Sequence, residues 1–250
     1  MEVDTPPVLD PYEFRPFQGY PCGKGLQVET YLSLMHFIEA EKFRGIDEGY
    51  RKYLLSINDR DDFILETAGI TQGVRRDDWD EIKGPMARAG LWMQLVQHKD
   101  ALAPIITHPE CNSDIRLVET AIQEICSRLY SGDPLRKVLI VGDESAEACS
   151  PNSFRGVLDH IFGARRPDEV IVSSGPGIAA LSAEYAAQNY IPLRTIPCVD
   201  SEAEFAKAAT GAATHVFFLV TEGGASSFAQ AAFDLACETG LVAHQVEVPA

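Results

Sequence analysis

Arg136-Lys137-Val138-Leu139-Ile140-Val141-Gly142-Asp143-Glu144-Ser145 is the stretch whose reading decides the fold. Val138 to Val141 is a short, unbroken apolar run, the pattern of a strand buried on both faces. Gly142 ends the run and Asp143-Glu144-Ser145 turns the chain. The same alternation then repeats downstream. Helices are expected over 153–162, 178–189, 201–209 and 226–239. Strands are expected over 169–173, 193–196, 215–220 and 242–248. Strands alternating with helices of this length predict a parallel sheet with right-handed crossovers. The expectation is a Rossmann-like α/β domain from about Arg136 to Pro249.

Upstream, Ser131-Gly132-Asp133-Pro134 breaks the chain and the period changes. Val28, Tyr31, Leu32, Met35 and Ile38 recur at three- and four-residue steps, which predicts a helix from Leu26 to Phe43. Further helices are expected over 48–56, 61–68, 77–98, 100–106 and 113–129. Gly69 fits a C-cap, and Pro85 falls near the first turns of its helix or kinks it. Residues 1–25 are rich in proline and are expected to be irregular, with Phe14, Phe17 and Tyr20 pinning them to the surface. The fold class is therefore α/β overall. A mostly helical N-terminal domain (1–132) precedes a parallel-sheet domain (133–250).

The chain has 250 residues, a net charge of -16 and 46% hydrophobic residues. No apolar run reaches the ~18 residues of a membrane span, and Met1 opens onto Glu, Asp and Pro rather than a basic leader. The expected location is the cytoplasm, with no membrane partner. The negative charge argues against nucleic acid, whose backbone binds basic footprints. Six cysteines are scattered without a CxxC pair, and the histidines show no HxxxH spacing. Reduced thiols are expected, with no metal and no cofactor. A homo-oligomer stays open.

Three expected βα turns fall at the carboxyl edge of the sheet, where ligands of open α/β folds bind. They are Gly142-Asp143, Ser174-Gly175-Pro176-Gly177 and Gly223-Gly224-Ala225-Ser226-Ser227. Glycines let backbone amides approach a phosphate, and a helix N-terminus adds partial positive charge. Gly142, Asp143, Gly175, Gly177, Gly223, Gly224, Ser226 and Ser227 are thus candidate nucleotide contacts. From about Arg136 to Val248 these turns resemble the SLOG superfamily, including its lysine-decarboxylase-like (LOG) branch. The resemblance implies a nucleotide-like ligand. Gln230 stands where LOG enzymes carry the Glu of their glycosidic-bond lyase.

Glu29 and His36 are seven residues apart, which on a helix places them on one face. A carboxylate beside a proton donor is what cleavage of an N-glycosidic bond needs: one stabilises charge growing on the ribose or activates water, the other protonates the departing base. A solvated helix face explains the same spacing. Val28 to Phe37, Arg76 to Met86 and Leu117-Val118-Glu119 with Glu124 resemble, in order and spacing, segments of the NADAR superfamily. There a helix Glu is followed seven residues later by Lys, where this chain has His36. The family's terminal Trp-Gly and early Ser-Asn-Phe are absent here.

NADAR proteins act on N-glycosidic bonds of ribosylated compounds. The resemblance implies catalytic roles for Glu29, His36 and Glu124, and substrate contacts for Arg76, Trp79 and Glu119. The function expected is an N-glycosyl hydrolase of a nucleotide or ADP-ribose derivative, with a nucleotide-binding SLOG-like domain. The alternatives are a protein that senses or sequesters a nucleotide without catalysis, and an interaction protein that reuses the folds.

Overall fold

The computed structural model describes residues 9–21, 28–69, 75–107, 115–145, 149–198 and 201–249. The chain divides into two compact units. One comprises Met1–Gly19 with Thr30–Asp133, the other Tyr20–Glu29 with Pro134–Ala250. Cys22, Cys111 and the first residues of the helix expected over 113–129 lie outside the described residues.

Among the described residues, the first unit holds the helices α1 (Leu34–Glu41), α2 (Glu48–Ser56), α3 (Arg60–Ala68), α4 (Trp79–Gln97), α5 (Lys99–Thr107) and α6 (Arg116–Tyr130). In α6, Val118, Ala121, Ile122 and Ile125 form a buried stripe at helical spacing. This stripe packs against α4, which runs unbroken through Pro85. Gly90 lets α1 approach α4 closely, because a Cβ there would meet the Phe37 ring at 2.5 Å.

Two expectations are corrected here. Residues 1–25 are not wholly irregular, because Phe17–Pro21 is a strand, β1. Leu26 to Phe43 is not one helix, because Val28–Tyr31 is a strand, β2, paired with β1, and α1 starts only at Leu34. Val28, Thr30 and Tyr31 favour extended backbone. The Ser33 side chain then accepts the His36 amide and caps α1. Tyr31 belongs to both periods, which is why the helical reading fitted.

The second unit is the α/β domain. Among the described residues, its parallel sheet is made of β3 (Lys137–Gly142), β4 (Glu169–Ser173), β5 (Leu193–Ile196), β6 (His215–Val220) and β7 (Val242–Glu247). Every pairing is parallel, in the order β5-β4-β3-β6-β7. The crossover helices are α7 (Pro151–Gly163), α8 (Ile178–Gln188), α9 (Glu202–Ala212) and α10 (Ser227–Glu238). Right-handed crossovers place α7 and α8 on one face, and the reversal of direction after β5 places α9 and α10 on the other. Leu139, Val141, Ile171, Val216 and Phe218 form the core on the α9–α10 side. Ala206, Ala209, Ala232 and Ala236 supply small side chains to the same core. At ~25 cal/mol per Å² of apolar surface removed from water, such a core is the main favourable term in folding.

Gly177 is the backbone position most constrained by this packing. Its φ is +69°, and a Cβ would collide with the Asp143 carbonyl. Replacing it by alanine is expected to cost about 2–3 kcal/mol, combining a glycine-only conformation with a clash. Gly175, two residues away, has no atom closer than 3.4 Å to a Cβ. Gly175→Ala is expected to stay within about 0.5 kcal/mol of the wild type. Urea unfolding midpoints of the two variants at unchanged slope check the contrast.

Candidate functional site

In the second unit, the strand order reverses between β3 and β6, the switch point at which open α/β sheets bind ligands. Gly142 and Asp143 leave β3 there, and Thr221 leaves β6. Ser226 caps α10 at the same edge, its side chain accepting the Ala229 amide. Val141, Gly142, Asp143, Ser173, Pro176, Phe205, Ser226 and Phe228 line a narrow crevice. Its volume is about 10 Å³, on the order of one water. Phe205 and Phe228 meet edge to face at 5.8 Å on its α9–α10 side.

Asp143 is almost buried, at 8% exposure. Its Oδ2 accepts the Thr221 hydroxyl at 2.6 Å and its Oδ1 accepts the Ser145 amide at 2.8 Å. Its carbonyl oxygen accepts the Ile178 amide at 2.9 Å, at the start of α8. The glycines serve this arrangement. A Cβ on Gly142 would strike the Leu219 carbonyl, one on Gly177 the Asp143 carbonyl, and one on Gly223 the Asp143 carboxylate at 2.5 Å. The smallness of these three glycines admits other parts of the chain. Gly224 differs: its φ is +96° and a Cβ there would meet nothing within 4 Å. Ser227 is exposed at the first turn of α10. Gln230 donates to Asp234 at 2.8 Å.

The site expected in the N-terminal half is not built as anticipated. Glu29 lies half-buried on β2, whereas His36 lies in the first turn of α1, so they share no helix face. By compactness Glu29 is grouped with the second unit and His36 with the first. His36 is 1% exposed. Its ring stacks on Phe63 at 3.7 Å. Nε2 lies 3.0 Å from the Ile57 carbonyl and Nδ1 lies 2.8 Å from Ser33 Oγ. A carbonyl only accepts, so Nε2 carries a proton, and the Ser33 hydroxyl donates to Nδ1 when the ring is neutral. Both nitrogens are thus occupied. Burial pushes its pKa down, opposed by the Ile57 carbonyl.

Arg76 and Trp79 are brought together, but with partners the sequence reading did not name. Arg76 grips Asp78 through Nε at 2.5 Å and Nη2 at 2.8 Å, while its amide donates to the Lys42 carbonyl. Trp79 is buried, and Lys42 Nζ lies 5.7 Å from its ring centre. Lys42 also bonds to the buried Glu39 carboxylate. Burial raises the Glu39 pKa, and Lys42 opposes it. Glu119 lies in the first turn of α6, where Gln123 reaches it at 3.5 Å. Glu124 is exposed, 4.0 Å from Arg88.

A second charged group was also missed. Arg51 has 0% exposure. It donates to Tyr31 Oη at 3.3 Å and lies 3.8 Å from Glu41. Arg44 holds Glu41 through two bonds of 2.6 Å, and the Tyr31 hydroxyl donates to Glu41 at 3.0 Å. The signals available in sequence were the three-residue spacings Glu39–Lys42, Glu41–Arg44 and Glu48–Arg51, which on a helix bring opposite charges together. Among the described residues, no group of three or more His, Cys, Asp or Glu could hold a metal ion. Cys126, Cys149, Cys198 and Cys237 are free thiols.

No protein-family model, curated protein or solved structure matches this chain.

His36 generates a pH prediction. Its pKa in the folded chain lies below the ordinary 6.5. The unfolded chain therefore takes up a proton first on acidification. The stability present above 6.5 is lost as pH falls through the interval between that value and the folded one. His215, pushed down by burial and then by Arg136, acts in the same direction. The urea midpoint is expected to fall across this interval, and the His36 ring resonances to keep their neutral positions through it. Titration of His36 at or above 6.5 would mean that the ring is open to solvent.

Proposed function

We propose that this protein binds a nucleotide-like ligand at the crevice beyond the ends of β3 and β4, walled by α9 and α10, and senses or sequesters it without cleaving it. The observation that carries this reading is the reversal of strand order at β3 and β6, which opens a ligand position beyond the strand ends. The chemistry of the lining shapes the binding mode. Asp143 presents a carboxylate, which accepts hydrogen bonds, so it suits a ribose hydroxyl better than a phosphate. Phe228, half-buried at the crevice, offers a ring face to a base. Phosphate belongs further out, at the first turn of α10 beside Gly224 and Ser227, where the helix N-terminus favours negative charge. The crevice has room for about one water, so entry of a ligand requires its walls to part. The SLOG resemblance points to the same class of ligand, and the ligand pool would be cytoplasmic. No helix among the described residues is long and apolar enough to cross a membrane.

Loss of catalysis is supported by the first unit. His36 has no nitrogen left for proton transfer. Lys42 lies over the Trp79 ring and its carbonyl accepts the Arg76 amide. A hydrolytic reading would fall back on Glu39, buried beside Lys42, or on Glu29.

Calorimetric titration with nucleoside monophosphates, ADP-ribose and NAD, with base release followed by chromatography, tests the proposal. At least one ligand is expected to bind, with no base released. Asp143→Asn is expected to weaken binding about tenfold, the size of a hydrogen bond to a charged acceptor. Base release by the wild type, lost in Glu29→Gln or Glu39→Gln, would establish a hydrolase instead. Absence of binding by every ligand would overturn the assignment of the crevice.

A further inference from the structure

A second cavity lies in the first unit, between α2 and α3. It has a volume of about 530 Å³, within the ~300–1,000 Å³ of small-molecule sites. Helical spacing assembles its walls. Tyr50 and Tyr53 are three residues apart on α2, so both reach the cleft, with ring centres 5.8 Å apart and planes inclined by 37°. Asp62 and Glu66 are four apart on α3 and face the same space. Glu66 is held in place by the tyrosines: Tyr50 donates to Oε1 at 2.7 Å and Tyr53 to Oε2 at 3.4 Å. Burial and then Glu66 raise the Tyr50 pKa, while Glu66 first and burial second raise that of Tyr53, so both hydroxyls stay protonated donors.

The cleft is open as well as shaped. Tyr53 is 49% exposed and Leu65 75%, an unusual cost for large apolar side chains around one cavity. Its described lining contains two carboxylates and two aromatic rings, and neither lysine nor arginine. Anions and neutral sugars gain little from such walls. A cation with an apolar body gains twice, from the ring faces and from the carboxylates.

We propose that the α2–α3 cleft is a binding site for a small organic ammonium ion, resting against the Tyr50 and Tyr53 rings and neutralised by Glu66 with Asp62. The site is independent of the crevice in the second unit. Its chemistry is opposite as well, since it selects positive charge and excludes phosphate.

The test uses choline as the probe and its uncharged isostere 3,3-dimethyl-1-butanol as the control, titrated into the full chain and followed by amide chemical shifts. Choline is expected to shift the resonances of α2 and α3, and the isostere to bind at least about tenfold more weakly. Glu66→Gln is expected to reduce choline affinity at least about tenfold, and Tyr53→Ala several-fold. Tyr53 is half-exposed, so its variant keeps the test alive if Glu66→Gln melts early. Equal binding of choline and isostere would overturn the proposal, as would choline binding untouched by both substitutions. Absence of any shift at about 10 mM choline, a concentration that reveals even weak ligands, would overturn it as well. Adenosine monophosphate is expected to leave these resonances unmoved, and its binding here would overturn the charge selection.

Discussion

The carboxylate of Asp143 is the constraint on which the working edge of the parallel sheet depends. Where β3 and β6 diverge, the ends of two strands and the start of two helices must be held without regular hydrogen bonding. Asp143 supplies three of the ties. Its side chain takes the Thr221 hydroxyl and the Ser145 amide, and its carbonyl takes the Ile178 amide. Three loops thereby converge on one residue. Gly142, Gly177 and Gly223 follow from it, because any side chain at these positions would enter space already taken by Asp143 or by the Leu219 carbonyl beside it. The position that normally cradles an anion already contains one, contributed by the chain itself. The polar group left for a ligand is therefore an acceptor, and donors on the ligand must meet it.

Much of the second unit was legible in its sequence, for a definite reason. Strands buried on both faces read as unbroken apolar runs, and Val138–Val141, Val170–Val172 and Val216–Leu219 are such runs. Handedness then restricts how they are joined. The pairing of β1 with β2 was not legible. Val28 to Tyr31 is too short for a two-residue period to be told from a helical one. The interactions that decide for the strand are distant: Tyr31 bonds to Glu41 and Arg51, ten and twenty residues away. The glycine turns show a related limit. A sequence displays where glycine stands, but only packing displays which neighbour needs the room.

The N-terminal residues show how spacing misleads when an element boundary shifts. Glu29 and His36 share a face only if one helix carries both, and Ser33 ends that premise by capping α1 between them. Once the helix begins at Leu34, the residues it lines up are different. Glu39 and Lys42 approach Trp79, Glu41 meets Arg44, and His36 turns inward onto Phe63. Arg51 is the least legible of all, since nothing in a local pattern marks an arginine for complete burial. Its burial is tolerable because Glu41, Glu48 and the Tyr31 hydroxyl surround the guanidinium, and removal of any one would leave charge uncompensated in a poor dielectric.

Asp143 differs from the buried glutamates, Glu169 included, which Arg194 holds at 2.9 Å, and this difference bears on function. Glu39 is answered by Lys42, and Glu41 by Arg44 and Arg51. A carboxylate neutralised by a cation at bonding distance has little charge left to stabilise a developing oxocarbenium or to draw a proton from water. Asp143, by contrast, is held by a hydroxyl and an amide, and among the described residues no cation pairs with it. Neutral donors orient a carboxylate without cancelling its charge. Each of its oxygens accepts one bond from the chain and has acceptor capacity beyond it, next to an aromatic ring and a helix N-terminus. Such a group suits hydrogen-bond donors on a ligand. The first unit's carboxylates hold the protein in place, and a hydrolytic role for Glu39 would require Lys42 to leave it first.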